Sequence, residues 1–212
     1  MRMRRSEAQE MERLTVMTAF ERPFWDSGRL VAGVDEAGRG PLAGPCVAAA
    51  VVMPPNCLIP GVDDSKKLTE KKRNELYHEI TRQALCWAVC IVDNRVIDEI
   101  NILNAAKRAF AGALGALSVK PDHVFCDRIG GIDIPYDYED LIGGDARVYS
   151  IAAASVIAKV TRDRLMRGYE CVYPGYGFAQ HKGYGTRAHA ESIRAQGPCA
   201  IHRRSFLTGF GV

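Results

Sequence analysis

Two continuous apolar runs, residues 30–34 and 46–53, flank a loop rich in glycine and proline, and this arrangement constrains the fold more than any other stretch of the chain. An apolar run without polar alternation reads as a strand buried on both faces. The first run ends at Asp35 and Glu36; the second is enriched in valine and ends at Pro54 and Pro55. Two strands joined by such a loop fit an antiparallel pair. Neighbours in a regular strand point to opposite faces, so Asp35 and Glu36 can share a site only if the strand unwinds between them, which Gly38 and Gly40 would permit.

Downstream, Thr69 is a predicted N-cap for a helix over 70–83, followed by a strand over 85–92. Residues 96–117 carry Ile97, Ile100, Leu103, Ala106, Phe110 and Leu114 at helical spacing, and 124–126 form a short strand ending at Asp127. Residues 151–165 are alanine-rich, and Ala152, Ala153, Ala154 and Ala158 would let a helix approach a sheet closely. The tail mixes aromatic, basic and glycine residues, with a short predicted helix over Arg187–Gln196. Alternation of strands and helices makes this an α/β chain. The expected division is a polar helical arm at 1–29, a main domain at 30–170 and an extension at 171–212.

A chain of 212 residues has room for one such domain with additions, and no apolar run approaches the ~20 residues of a membrane helix. Seven scattered cysteines, an odd number, fit reduced thiols better than a disulfide framework. Cys86 and Cys90 lack a second pair at zinc spacing, so packing is their expected role. The basic and then acidic start has no secretory pattern; the expectation is a soluble, cytoplasmic protein that works as a monomer away from membranes. A net charge of +3 permits nucleic-acid binding without demanding it.

Four acids fall where strands end or helices begin: Asp35, Glu36, Asp127 and Asp145. A hard cation such as Mg²⁺ or Mn²⁺ takes oxygen ligands, so carboxylates gathered at one rim would hold it beside a phosphate. Any one of them alone is more often a solvated charge or, as for Asp145, a helix-dipole partner. Gly38, Gly40 and Ala43 match the spacing of a dinucleotide loop, but that loop must open a helix, and here Pro45 and a strand follow. Phosphate-facing candidates are Arg39 in the glycine loop, Lys66 and Lys67 beside Ser65, and Lys182 beside His181. Tyr184, between two glycines, is placed to stack on a sugar or base. His181, His189 and His202 have no accompanying nucleophile pattern and are given minor roles.

Five ordered blocks then carry a resemblance: VAGVDEAGRGPLAGP at 31–45, DSKKL at 64–68, AAASVIAKVTRD at 152–163, HKGY at 181–184 and HRRSF at 202–206. Together they resemble the motif set of ribonuclease HII, from about residue 30 to 206. The resemblance implies a ribonuclease H-like fold, a five-stranded mixed sheet flanked by helices, with a C-terminal helical extension completing the substrate groove. It implies that Asp35, Glu36, Asp127 and Asp145 are the metal-binding catalytic acids, with Asp140 and Asp163 as alternatives to Asp145. It also implies that Gly38, Arg39 and Gly40 sense the ribonucleotide and that Tyr184 stacks at the RNA–DNA junction, with Ser65, Lys66 and Lys182 as further substrate contacts.

The expected activity is metal-dependent hydrolysis of RNA in RNA–DNA hybrids and incision 5′ to ribonucleotides in duplex DNA, leaving a 5′-phosphate and a 3′-hydroxyl. Two rivals are another carboxylate nuclease of the same fold, such as a junction resolvase, and a catalytically silent hybrid-binding module. Arg128, Gly185 and Leu207-Thr208 depart from the family's common pattern and bear on loop shape and the packing of the tail.

Overall fold

A computed structural model describes residues 6–209. Its centre is a five-stranded mixed sheet in the order β3-β2-β1-β4-β5. Strand β1 (Val31–Ala37) runs antiparallel to β2 (Cys46–Val52) and parallel to β4 (His123–Asp127). Strand β3 (Cys86–Val92) lies antiparallel to β2, and β5 (Tyr138–Leu141) lies parallel to β4. Every residue of β2 is buried, which is why the apolar run at 46–53 has no alternation.

Three helices before the last strands cover the sheet or its flank: α1 (Glu7–Met17), α2 (Arg22–Asp26) and α3 (Glu70–Gln83), the last with Thr69 accepting the Lys72 amide as its N-cap. Helix α4 (Asn94–Gly115) covers one face through Ala106, Phe110 and Leu114, packed against Ala32 and Val34. Helix α5 (Tyr149–Val172) covers the other, with Ala152, Ala153 and Ala158 against Ala49 and Val51. A Cβ on Gly33 would stand 2.1 Å from the Ser150 carbonyl carbon, so α5 lies on bare β1 backbone there. The last α-helices among the described residues are α6 (Phe178–His181) and α7 (Arg187–Gln196), the latter capped by Thr186.

Four differences from the sequence reading have physical causes. Strand β1 does not unwind between Asp35 and Glu36: both remain paired to β2, opposite Ala49 and Ala48, because the ladder continues to Ala37. Strand β5 escapes the reading because its four residues, YEDL, carry no apolar run and are held by pairing with β4. Leu103 is 40% exposed despite its helical spacing, since Asn101 takes φ 65° and interrupts α4, changing the phase of the apolar face. Asn101 Oδ1 then accepts the Leu103 and Asn104 amides and restarts the helix. Helix α5 starts two residues before 151 because Glu21 accepts the Ser150 amide at 2.8 Å, a cap supplied from a distant part of the chain.

The arm is bound to the core by Leu14, Met17 and Trp25, all buried, and its first five residues lie outside the described residues. All seven cysteines are free thiols, and Cys90 packs beneath Gly112 of α4. Among the described residues no helix is long and apolar enough to cross a membrane.

Candidate active site

The parallel pairing of β1 with β4 sets Val34 beside Cys126, so the next residue of each strand, Asp35 and Asp127, emerges at the same end of the sheet. Asp145 comes to that end in the 3₁₀ turn Gly144–Ala146, which immediately precedes α5. One carboxylate oxygen from each of Asp35, Asp127 and Asp145 lies within 4.8 Å of the others. Asp35 and Asp145 are each only 4% exposed. The site is therefore made at the ends of two strands and one helix, from acids 92 and 110 residues away from Asp35 in the chain.

Glu36 belongs to the face of β1 that carries Ala32 and Val34, yet it lines the same cleft at the strand end. Its Oε1 lies 3.4 Å from an Arg39 guanidinium nitrogen, while its buried Oε2 has no hydrogen-bond partner among the described residues. Burial, and then the charges of Glu36, Asp127 and Asp145, push the Asp35 carboxyl well above the usual carboxylate range. Burial also raises Glu36, against the opposing Arg39 charge, and raises Asp127 against the Gly144 amide that it accepts at 2.7 Å. Crowded, desolvated carboxylates whose charge is only partly matched form a cation site by chemistry: all-oxygen, anionic and short of positive charge.

The cleft holds a cavity of about 190 Å³ lined by Asp35, Glu36, Asp127, Gly38, Arg39, Gly40, Ser65, Lys66 and Tyr184, all expected from the sequence, and by Ala37 and Lys159. Lys66 reaches Asp145 with its ammonium 2.7 Å from Oδ2. Burial opposes that charge, but the Asp145 hydrogen bond and charge outweigh it and hold the ammonium above its ordinary value. Tyr184 is 42% exposed, and the Lys159 Nζ and the Arg162 guanidinium carbon each stand 5.8 Å from its ring centroid. A Cβ on Gly40 would meet only the Tyr184 ring, at 4.0 Å, so this part of the loop is open toward the cleft.

Several candidates are held elsewhere. Lys182 is 8% exposed and turns its ammonium onto the carbonyls of Ala179 and Gln180, at the end of α6. Lys67 pairs with Asp63 at 3.2 Å. Asp140 accepts the Ile129 and Gly130 amides at 2.9 and 2.7 Å, and Asp163 pairs with Lys159 at 2.7 Å, so neither joins the acid cluster. The histidines form a buried stack beneath the loop of Tyr184: His181 and His189 have centroids 4.3 Å apart, and His189 Nε2 is 3.1 Å from His202 Nε2. Burial, and then the His189 charge, bring His202 down to about 4.

Lys159 had no role from the sequence; its position four residues before Asp163 reads as an ordinary helix ion pair. Only its depth, with a side chain 19% exposed beside Tyr184, marks it as part of the cleft.

Residues 32–209 match the family model of ribonuclease HII. The chain is 50% identical over 210 residues to a ribonuclease HII of Ruminiclostridium cellulolyticum, covering 99% of this chain and 82% of that protein. It is 50% identical over 205 residues to a ribonuclease HII of Moorella thermoacetica, covering 95% of this chain and 98% of that protein. Among solved structures, the ribonuclease H2 of Pyrococcus horikoshii OT3 is similar at 30% identity with a TM-score of 0.71, over 83% of this chain and 93% of that chain.

Proposed function

Because the chain belongs to the ribonuclease HII family, whose members are ribonuclease H enzymes of ribonuclease H-like fold, we propose that it hydrolyses the RNA of RNA–DNA hybrids and incises duplex DNA 5′ to an embedded ribonucleotide. The products are a 5′-phosphate and a 3′-hydroxyl. The observation that carries this reading is the meeting of Asp35, Asp127 and Asp145 within 4.8 Å, beside the glycine loop and Tyr184.

The donor set suits Mg²⁺ or Mn²⁺, and Asp35, Asp127 and Asp145, with the unpartnered Oε2 of Glu36, are the residues that would hold it. When bound, such a cation lowers the pKa of coordinated water and stabilises charge that develops at phosphorus. The remaining work belongs to the chain. Lys66 and Arg39, both lining the cleft, bring positive charge to the phosphate backbone. The backbone of Gly38–Gly40 can approach a 2′-hydroxyl, the group that distinguishes RNA from DNA, because no side chain at Gly40 stands between. Tyr184 offers a half-exposed ring on which the junction sugar or base stacks.

In this reading residues 30–170 are the catalytic domain, 171–212 complete the groove, and the protein works as a monomer in the cytoplasm. The deciding assay is incubation of the purified protein and an Asp35→Asn variant with Mg²⁺ or Mn²⁺ and a labelled DNA duplex containing one ribonucleotide, beside an all-DNA control. Metal-dependent incision only at the ribonucleotide, absent from the variant, is expected. Cleavage of the all-DNA duplex, or binding without incision under either metal, would refute the proposal.

A further inference from the structure

Beneath the glycine loop lie two arginines that the activity described above does not use. Arg162 of α5 and Arg203 of the C-terminal segment are 1% and 0% exposed, and neither forms an ion pair among the described residues. Their donors go to backbone carbonyls instead. Arg203 donates to the carbonyls of Gly38, Arg39 and Gly44. Arg162 donates to those of Ala43, Pro45 and Lys182, at 3.1, 2.9 and 2.9 Å. Five of the six acceptors belong to the loop at 38–45.

Burying a guanidinium without a carboxylate is costly, and here it is done twice, so the arrangement is a structural commitment and not surface charge that happens to be covered. Burial, and then the neighbouring Arg162 charge, bring Arg203 down to about 10, which leaves it charged at neutral pH. The C-terminal segment adds backbone ties of its own. Arg203 donates its amide to Leu42, Gly44 donates to Ile201, and Ala43 pairs with His202.

These contacts separate the roles of the two glycines around Arg39. Gly38 has φ +103°, and a Cβ there would stand 2.1 Å from Arg162 Nε, so glycine at this position makes room for the arginine beneath. Gly40 has no such neighbour and opens on the cleft. With the carbonyls of Gly38 and Arg39 drawn inward, the amides of Arg39 and Gly40 have no hydrogen-bond partner among the described residues. Successive free amides on a fixed loop make a concave donor site for an oxygen-rich ligand.

We propose that Arg162 and Arg203 are positioning residues for ribonucleotide recognition: by fixing the loop carbonyls inward they hold the Arg39 and Gly40 amides ready for the sugar-phosphate of the ribonucleotide. Arg203 thereby sets substrate preference without touching substrate. This rests on the substrate reading above, and the test separates the two.

The test uses the full chain, with Ca²⁺ in place of the reactive metal, and measures by fluorescence anisotropy the affinity for a duplex with one ribonucleotide and for the same duplex in all-DNA form. A wild-type protein with no preference between them, and no incision under Mg²⁺ or Mn²⁺, refutes the substrate reading itself. Given a wild-type preference, Arg203→Lys keeps the charge and loses the planar fork. It is expected to lose at least tenfold of the preference while all-DNA affinity stays within twofold. Arg162→Lys, which loses the fork that holds the Ala43, Pro45 and Lys182 carbonyls, is expected to do the same and serves if the Arg203 variant does not fold. An unchanged preference in both variants overturns the clamp; so does a parallel loss on both duplexes at unchanged melting temperature, which would make Arg203 a general backbone contact.

Discussion

The Lys66 ammonium lies 2.7 Å from Oδ2 of Asp145, so one of the acids that would hold a divalent cation already has a cation from its own chain. Lys66 is 73% exposed at the side chain, and Asp145 6%, so the lysine can leave for solvent or phosphate while the acid stays. A metal ion entering the cluster has to compete with this contact.

Lys66→Met is therefore expected to tighten Mn²⁺ binding to the free protein, by up to about fivefold, given that partly exposed ion pairs contribute roughly 0–1 kcal/mol. Isothermal titration calorimetry measures it. The same variant should bind ribonucleotide-containing duplex more weakly, since a phosphate contact is lost. Metal affinity that falls in the variant would show that Lys66 supports the site instead of competing for it.

Asp35 sits among three other acids in a site from which water is largely removed. Replacing it with asparagine relieves that repulsion, and the metal-free variant is expected to melt higher than the wild type, by about 1–2 kcal/mol in stability, while incision falls by at least about a hundredfold. Thermal denaturation in EDTA, read by circular dichroism, tests the first half. A lower melting temperature would mean that the carboxylate stabilises the apo fold.

Gly33 supports the site from two residues away. A Cβ there would enter the Ser150–Ile151 backbone at 2.1–2.4 Å, and helix backbone cannot step aside as a flexible side chain can. Gly33→Ala is expected to lose roughly 3 kcal/mol by overpacking and to lose activity with it, because β1 and the start of α5 carry Asp35 and follow Asp145. A loss of unfolding free energy below about 1 kcal/mol in urea denaturation would contradict this packing.

Glu21 caps α5 from a fully buried position, and its burial, against the opposing Ser150 hydrogen bond, raises it to about 7 from an ordinary 4.5. Its folded-state value is raised, so its contribution to stability is complete below about 4.5 and is lost as pH rises through about 7. Between pH 5 and 8 the wild type is expected to lose about 2–3 kcal/mol that a Glu21→Gln variant does not lose. Melting temperatures across that range decide it; parallel curves would show that the carboxyl does not titrate there.

Much of this molecule was legible before any coordinates. Helix α3 and helix α7 begin at threonine caps because capping is a local transaction between a side chain and amides two or three residues away. The buried pair β1 and β2 was visible because a strand covered on both faces must be apolar throughout. The acids stood out because each follows or precedes a regular element, and the ordered motif blocks named their family.

What the sequence could not supply was contact between distant residues. Asp35, Asp127 and Asp145 share a site only because β1 and β4 are parallel and in register, and Lys182 left the candidate set only because α6 ends beneath it. Strand β5 exists through its partner, since its own four residues lack an apolar signal. Nothing beside Glu21, Arg162 or Arg203 along the chain announces that each is buried. Local propensity and periodicity determine elements, because they act over one or two turns. Burial of a charge and the carbonyls or amides that accept it are decided by packing, which no stretch of sequence carries alone.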